Sequence, residues 1–115
     1  MNIEELREYC LSKKAVTECF PFDDVTLVFK VGGKMFALNN LDGNLSVNLK
    51  CDPEKAIELR EQYPAVKPGY HMNKKLWNTV EINGSIADML IKNWIDDSYN
   101  LVVQSLTKKQ RETIK

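Results

Sequence analysis

The stretch Pro68-Gly69-Tyr70-His71-Met72-Asn73-Lys74-Lys75-Leu76-Trp77 sets a Pro-Gly bend, the single histidine, an Asn-Lys-Lys loop and a tryptophan side by side. Ordinary solvated loops have simpler compositions, so this segment either holds demanding backbone or presents a site. One chemistry it suits is contact with a polyanion. Lys74 and Lys75 offer ammonium groups, and His71 and Asn73 offer hydrogen-bonding groups beside them. Lys30 and Lys34 flank Gly32-Gly33 in a second such unit, because glycine lets backbone approach a phosphate closely. Lys50 and Lys67 can extend the patch. The other chemistry is a shallow pocket lined by Tyr70, His71, Met72 and Trp77, with Asn73 and Lys74 as polar anchors. A plainer account covers many of the same residues. Lysines flank hairpin tips for solubility and to discourage edge pairing. Large apolar side chains such as Met72 and Trp77 mostly serve packing.

Covalent or metal chemistry is less well supplied. Cys10, Cys19 and Cys51 have unrelated spacings and no CxxC pair, so they read as free thiols. A Cys51–His71 nucleophile pair is conceivable, but it needs a third, orienting group. One histidine makes a metal site poorly equipped. There is no GxSxG, P-loop or HExxH motif. Asp96-Asp97 are adjacent on a helix and diverge, and Asp23-Asp24 lie in a turn. The expectation is a protein without catalytic activity, cofactor or metal.

Sixteen basic residues balance sixteen acidic ones, which argues against strong nucleic-acid binding while leaving room for a local basic face. The 115 residues suit one domain spanning 1–115, and 43% hydrophobic with 28% charged residues is the mix of a globular chain. No apolar run approaches the roughly 20 residues of a membrane span, so no membrane partner is expected. Met1-Asn2-Ile3-Glu4-Glu5 lacks the basic lead and apolar stretch of a secretion signal, which points to the cytoplasm.

The elements that must position these residues follow from periodicity. Asn2 caps a first helix, with Glu5 three residues on and Ile3, Leu6 and Cys10 on one side. Thr26–Val31 and Lys34–Leu38 are strands joined at Gly32-Gly33. Pairing across that turn puts Phe29 opposite Phe36 and Leu27 opposite Leu38, all on one face, with Val28, Lys30, Met35 and Ala37 on the other. Leu45, Val47 and Leu49 alternate with Ser46, Asn48 and Lys50 in a strand with one buried and one wet face. Asp52-Pro53 starts a helix that stops before Pro64. Trp77–Ile82 is a further strand, and Ser85 caps a long last helix with a stripe of Ala87, Leu90, Ile91, Trp94, Ile95, Ser98 and Val102. Lys108–Lys115 is a polar end, helical or frayed. The order α-β-β-β-α-β-α describes an α+β fold, an antiparallel sheet of four or five strands with helices packed on one face.

Val28-Phe29-Lys30-Val31-Gly32-Gly33-Lys34-Met35-Phe36-Ala37, Leu49-Lys50-Cys51-Asp52-Pro53-Glu54, Leu59-Arg60-Glu61-Gln62-Tyr63-Pro64, Gly69-Tyr70-His71-Met72-Asn73-Lys74-Lys75 with Trp77-Asn78-Thr79-Val80, and Asp96-Asp97-Ser98-Tyr99 occur in the order in which they resemble the MmcQ/YjbR family. The resemblance covers most of the chain and implies a CyaY/frataxin-like fold. It also implies DNA binding through two β wings, with Lys30, Gly32, Gly33, Lys34, Lys50, His71, Asn73, Lys74 and Lys75 as the expected contacts. The family often carries a histidine just before the tryptophan; here that position is Leu76. Frataxin iron binding does not transfer, because a shared fold does not carry a site. The alternative expectation is a non-catalytic module binding a protein or small ligand.

Overall fold

Gly32 and Gly33, at φ 59° and 79°, turn strand β2 (Thr26–Val31) into β3 (Lys34–Asn40). Backbone with φ in that range is strained for other residues and open to glycine. The fold is seen in a computed structural model that describes residues 1–70 and 72–114. Pairing runs Val31 to Lys34 and Lys30 to Met35, then slips, so that Phe29 faces Ala37 and Val28 faces Leu38. Phe36 is the extra residue of a β-bulge. The bulge corrects the expected partners: Phe29 does not face Phe36, nor Leu27 Leu38. Phe36 and Ala37 both enter the main core, and Leu38 joins Val28 on the opposite face. Phe29 and Phe36 still touch, with ring centroids 6.5 Å apart.

Six strands form one antiparallel sheet in the order β1-β2-β3-β4-β6-β5, where β4 is Ser46–Lys50 and β6 is Trp77–Glu81. Six exceeds the four or five expected, and β1 (Val16–Cys19) and β5 (Val66–Pro68) are the two not read individually from the sequence. Both are edge strands of four and three residues, too short to show a period of two. Pro68, which has no N–H to give, ends β5 at the sheet edge.

Helices α1 (Ile3–Leu11), α2 (Pro53–Gln62) and α3 (Asp88–Ser105) cover one face of the sheet. Leu6 and Cys10 from α1, Leu59 from α2, and Ile91, Trp94, Ile95 and Val102 from α3 pack on Phe29, Val31, Phe36, Val47, Leu49 and Val80. Asn2 accepts the Glu5 N–H at 2.8 Å as the expected cap of α1. Asp52 faces the Lys55 N–H at 3.4 Å, with Pro53 in the first turn of α2. The expected Ser85 cap of α3 is not used. Ser85 gives its N–H and hydroxyl to Asn83 Oδ1 at 3.0 and 2.6 Å, closing the preceding turn, and the helix begins at Asp88 without a side-chain cap. Past α3, Thr107 and Gln110 make a capping box that orders the polar end as α4 (Lys108–Glu112). No helix of the described residues is long and apolar enough to cross a membrane.

Candidate functional site

The opposite face of the sheet carries no helix. Its apolar end is a small second core of Val28, Leu38 and Trp77, covered by Met35, Met72, Leu76 and Cys19. Met72 and Leu76 pack over this patch. Gly69 lies hard against Trp77: its N–H donates to the Trp77 carbonyl at 2.9 Å, and a Cβ there would come within 2.8 Å of both Trp77 Cβ and that oxygen. Asn73 Oδ1 accepts the Lys75 N–H at 2.9 Å, and its carbonyl accepts the N–H groups of Leu76 and Trp77 at 3.2 and 2.9 Å. Lys74 turns inward, its Nζ donating to the Gly69 carbonyl at 3.2 Å while Arg60 Nη2 donates to the Lys74 carbonyl at 2.7 Å. Asn73, Lys74, Met72 and Trp77 therefore hold the loop together. His71 lies outside the described residues, and with it the expectation of a Cys51–His71 pair.

The remaining lysines do not converge. Lys30, opposite Met35, lies on the helix-free face, while Lys34, opposite Val31, turns to the helix side. There its Nζ sits 3.4 Å from both the carbonyl and the hydroxyl of Ser105, at the carbonyl end of α3 where a cation is favoured. Gly32 is closed over by Leu106, so the hairpin tip is docked rather than projecting, while Gly33 beside it is open. Lys50, opposite Trp77, belongs to the helix-free face, and Lys67 pairs with Glu81 at 2.7 Å. Lys30, Lys50 and Lys75 make no ion pair among the described residues.

Beyond the apolar patch the same face opens into a groove of about 1090 Å³. One wall is the 22–25 turn with Phe22 and Asp23; the other is Pro68, Tyr70 and Met72. The floor includes Asn40, Ser46, Asn48 and Thr79. Thr79 donates its hydroxyl to Asn48 Oδ1 at 2.5 Å and accepts the Tyr70 N–H at 3.0 Å, while Asn48 Nδ2 reaches the Tyr70 carbonyl at 3.4 Å. These bonds tie the wall to the floor across β4 and β6. Asp23 is held below its usual pKa by the backbone N–H groups of Val25 and Thr26, at 3.0 and 2.7 Å. Most of this groove escaped sequence reading. Its signals were Tyr70 and Met72, expected in a shallow pocket and found in one wall, and the wet alternation of Ser46, Asn48 and Lys50, which named a solvent face without showing what stood around it.

Cys10 and Cys51 lie on the helix side of the sheet. Burial pushes Cys10 up to about 12 and raises Cys51. Among the described residues no group of three or more His, Cys, Asp or Glu side chains could hold a metal ion.

A family model described as YjbR matches residues 11–101. The chain belongs to the YjbR family. Its YjbR relatives include the protein YbdF of Escherichia coli O157:H7, 41% identical over 113 residues, covering 97% of this chain and 93% of that one. The Escherichia coli K12 protein YjbR is 34% identical over 115 residues, covering 99% and 98% of the two chains. Among solved structures, Deinococcus radiodurans protein DR2400, with a DUF419 domain, superposes with a TM-score of 0.92 at 40% identity, covering 98% of this chain and 87% of its own. A Pseudomonas syringae protein does so with a TM-score of 0.76 at 29% identity, covering 88% and 98%. The α+β sheet with helices on one face is thus a YjbR architecture, and these relatives come from bacteria.

Proposed function

We propose that this protein is a non-catalytic binding module whose ligand occupies the groove on the helix-free face of the sheet. The observation that carries this reading is the fixed floor: Asn48, Thr79 and the Tyr70 backbone hold one another, so the groove needs little ordering when a ligand arrives. The absence of catalysis is itself part of the proposal. The raised thiols of Cys10 and Cys51 support it, because a protonated thiol is a poor nucleophile.

A thermal-shift and amide-resonance screen of nucleotides, sugars, amino acids and short peptides tests the reading. Binding should stabilise the fold by mass action, with resonance changes at Asn40, Asn48 and Thr79. A ligand that stabilises the protein while perturbing only residues outside the groove would remove it.

DNA binding is the second reading, favoured by Lys30 and Lys50 sharing the helix-free face with no ion-pair partner among the described residues. With Lys75 they make three candidate phosphate contacts. Duplex affinity should then fall with salt on a log–log slope of about −2.7. Lys34 and Lys74, already bonded within the protein, should contribute little. A flat salt response, or no binding at low salt, removes the DNA reading and leaves the groove reading in place.

A further inference from the structure

We infer that the groove takes a neutral, polyhydroxylated ligand, an oligosaccharide chain, an inference that rests on the groove being the binding site. The argument runs through charge, polarity and shape. Among the described residues the charged groups lining the groove are Lys67, Glu81 and Asp23. Lys67 and Glu81 face each other in a 2.7 Å pair, and Asp23 is held ionised at neutral pH. The described lining therefore offers a phosphate chain no uncompensated cation and one anion, which disfavours nucleotides and nucleic acid at this spot. A cationic ligand fares little better. Asp23 Oδ1 already accepts from Val25 and Thr26 backbone, and Oδ2 from the Thr26 hydroxyl at 3.1 Å.

A purely apolar ligand is disfavoured for a different reason. It would cover the amides of Asn40 and Asn48 and the hydroxyl of Ser46 without pairing them, stripping each of its water without a replacement hydrogen bond. These are groups that both donate and accept, and sugar hydroxyls can meet them in either sense. Asn48 retains a second amide hydrogen beyond the one directed at Tyr70.

The walls complete the picture. Phe22 on one side and Tyr70 on the other are 64% and 68% exposed. Exposed aromatic side chains flanking a polar floor supply apolar surface for the C–H faces of pyranose rings, whose hydroxyls can meet the amides of the floor. Phe22, Tyr70 and the floor strands β3, β4 and β6 are separate segments, and only the sheet brings them to one trough.

The test is a heteronuclear amide-resonance titration of the full chain with maltohexaose, cellohexaose, xylohexaose and chitohexaose at millimolar concentration. At least one should move the amides of Asn40, Asn48, Tyr70 and Thr79 together and saturably. Tyr70→Ala should then weaken that binding roughly tenfold, equivalent to about 1.4 kcal/mol, with Phe22→Ala acting in the same direction. Resonances of the helix-side core serve as the check that each variant is folded. No saturable change with any of the four sugars overturns the inference, as does binding that both variants leave intact. If another ligand class moves those same amides, the groove reading survives and the sugar inference alone falls. Perturbation confined to residues outside the groove overturns both.

Discussion

Leu106 closes over Gly32. A Cβ on Gly32 would lie 2.7 Å from Leu106 Cδ1 and 2.8 Å from Cδ2, and Leu106 is itself buried. The hairpin between β2 and β3 is thus latched by the residue that follows α3. Gly32→Ala combines a left-handed backbone, costing roughly 1–2 kcal/mol, with displacement of that latch. Gly33→Ala meets the same backbone cost but open space. The urea midpoint should fall further for Gly32→Ala than for Gly33→Ala. Equal losses would show that the latch contributes nothing.

Ser98 sits in the middle of the apolar stripe of α3, fully buried, and does two jobs at once. Its hydroxyl donates to the Phe36 carbonyl at 2.5 Å and accepts the Lys50 N–H at 2.8 Å. It therefore pins α3 to the bulge in β3 and to the end of β4. Ser98→Ala strands a buried carbonyl and a part-buried N–H, and stability should drop by about 2–3 kcal/mol. The slope of the urea transition should stay unchanged. A loss below half a kilocalorie would mean that those groups find other partners.

Asp96 on α3 receives the Tyr9 hydroxyl at 2.6 Å and pairs with Lys13. Burial opposes its ionisation, but hydrogen bonds from Lys13 and Tyr9 outweigh that and hold its pKa below the usual value. A depressed carboxyl contributes stability that is complete above its unfolded pKa, about 3.9, and is lost as the pH falls through the folded value. Asp96→Asn should therefore be less stable than the parent at neutral pH and converge with it in strong acid. The hydrogen bond to Asp96 also pushes Tyr9 up to about 12. That contribution is complete below the unfolded tyrosine pKa, about 10, and disappears as the pH rises through the folded value. Alkaline absorbance titration should show Tyr9 as a late phenol in the parent, moved to lower pH in Asp96→Asn, while Tyr99, raised by burial, titrates late in both.

Cys10 is fully buried under the sheet, and its thiol is pushed up to about 12 by that burial. It should resist a thiol-specific disulfide reagent at mildly alkaline pH until the protein unfolds, while Cys19, partly exposed at the end of β1, reacts in the native state. Mass mapping of the first modified thiol checks this. Early labelling of Cys10 would mean that α1 opens from the sheet far below the global unfolding energy.

Much of the architecture was written in local signals. Asn2 at the start of α1 and Asp52-Pro53 at the start of α2 satisfy backbone donors within three residues of themselves, so their effect is legible without the rest of the chain. Gly32-Gly33 fixed the turn in the same way, and the Trp94 stripe fixed which side of α3 is buried. The bulge at Phe36 is different. Either register satisfies the hairpin locally, and the observed one places the Phe36 carbonyl against the hydroxyl of Ser98, 62 residues away. The two edge strands were also invisible, because pairing with β2 and β6 defines them more than their own short patterns do.

The site divides along the same line. Sequence alone named the ammonium groups of Lys30, Lys34, Lys50, Lys74 and Lys75, since residue type fixes charge. Only the tertiary structure decided their surroundings. A one-residue step along a strand reverses the face a side chain occupies, which sent Lys34 to the end of α3 and left Lys30 on the bare side. The groove between Phe22 and Tyr70 was beyond any local reading, because its walls and floor meet only after six strands have paired.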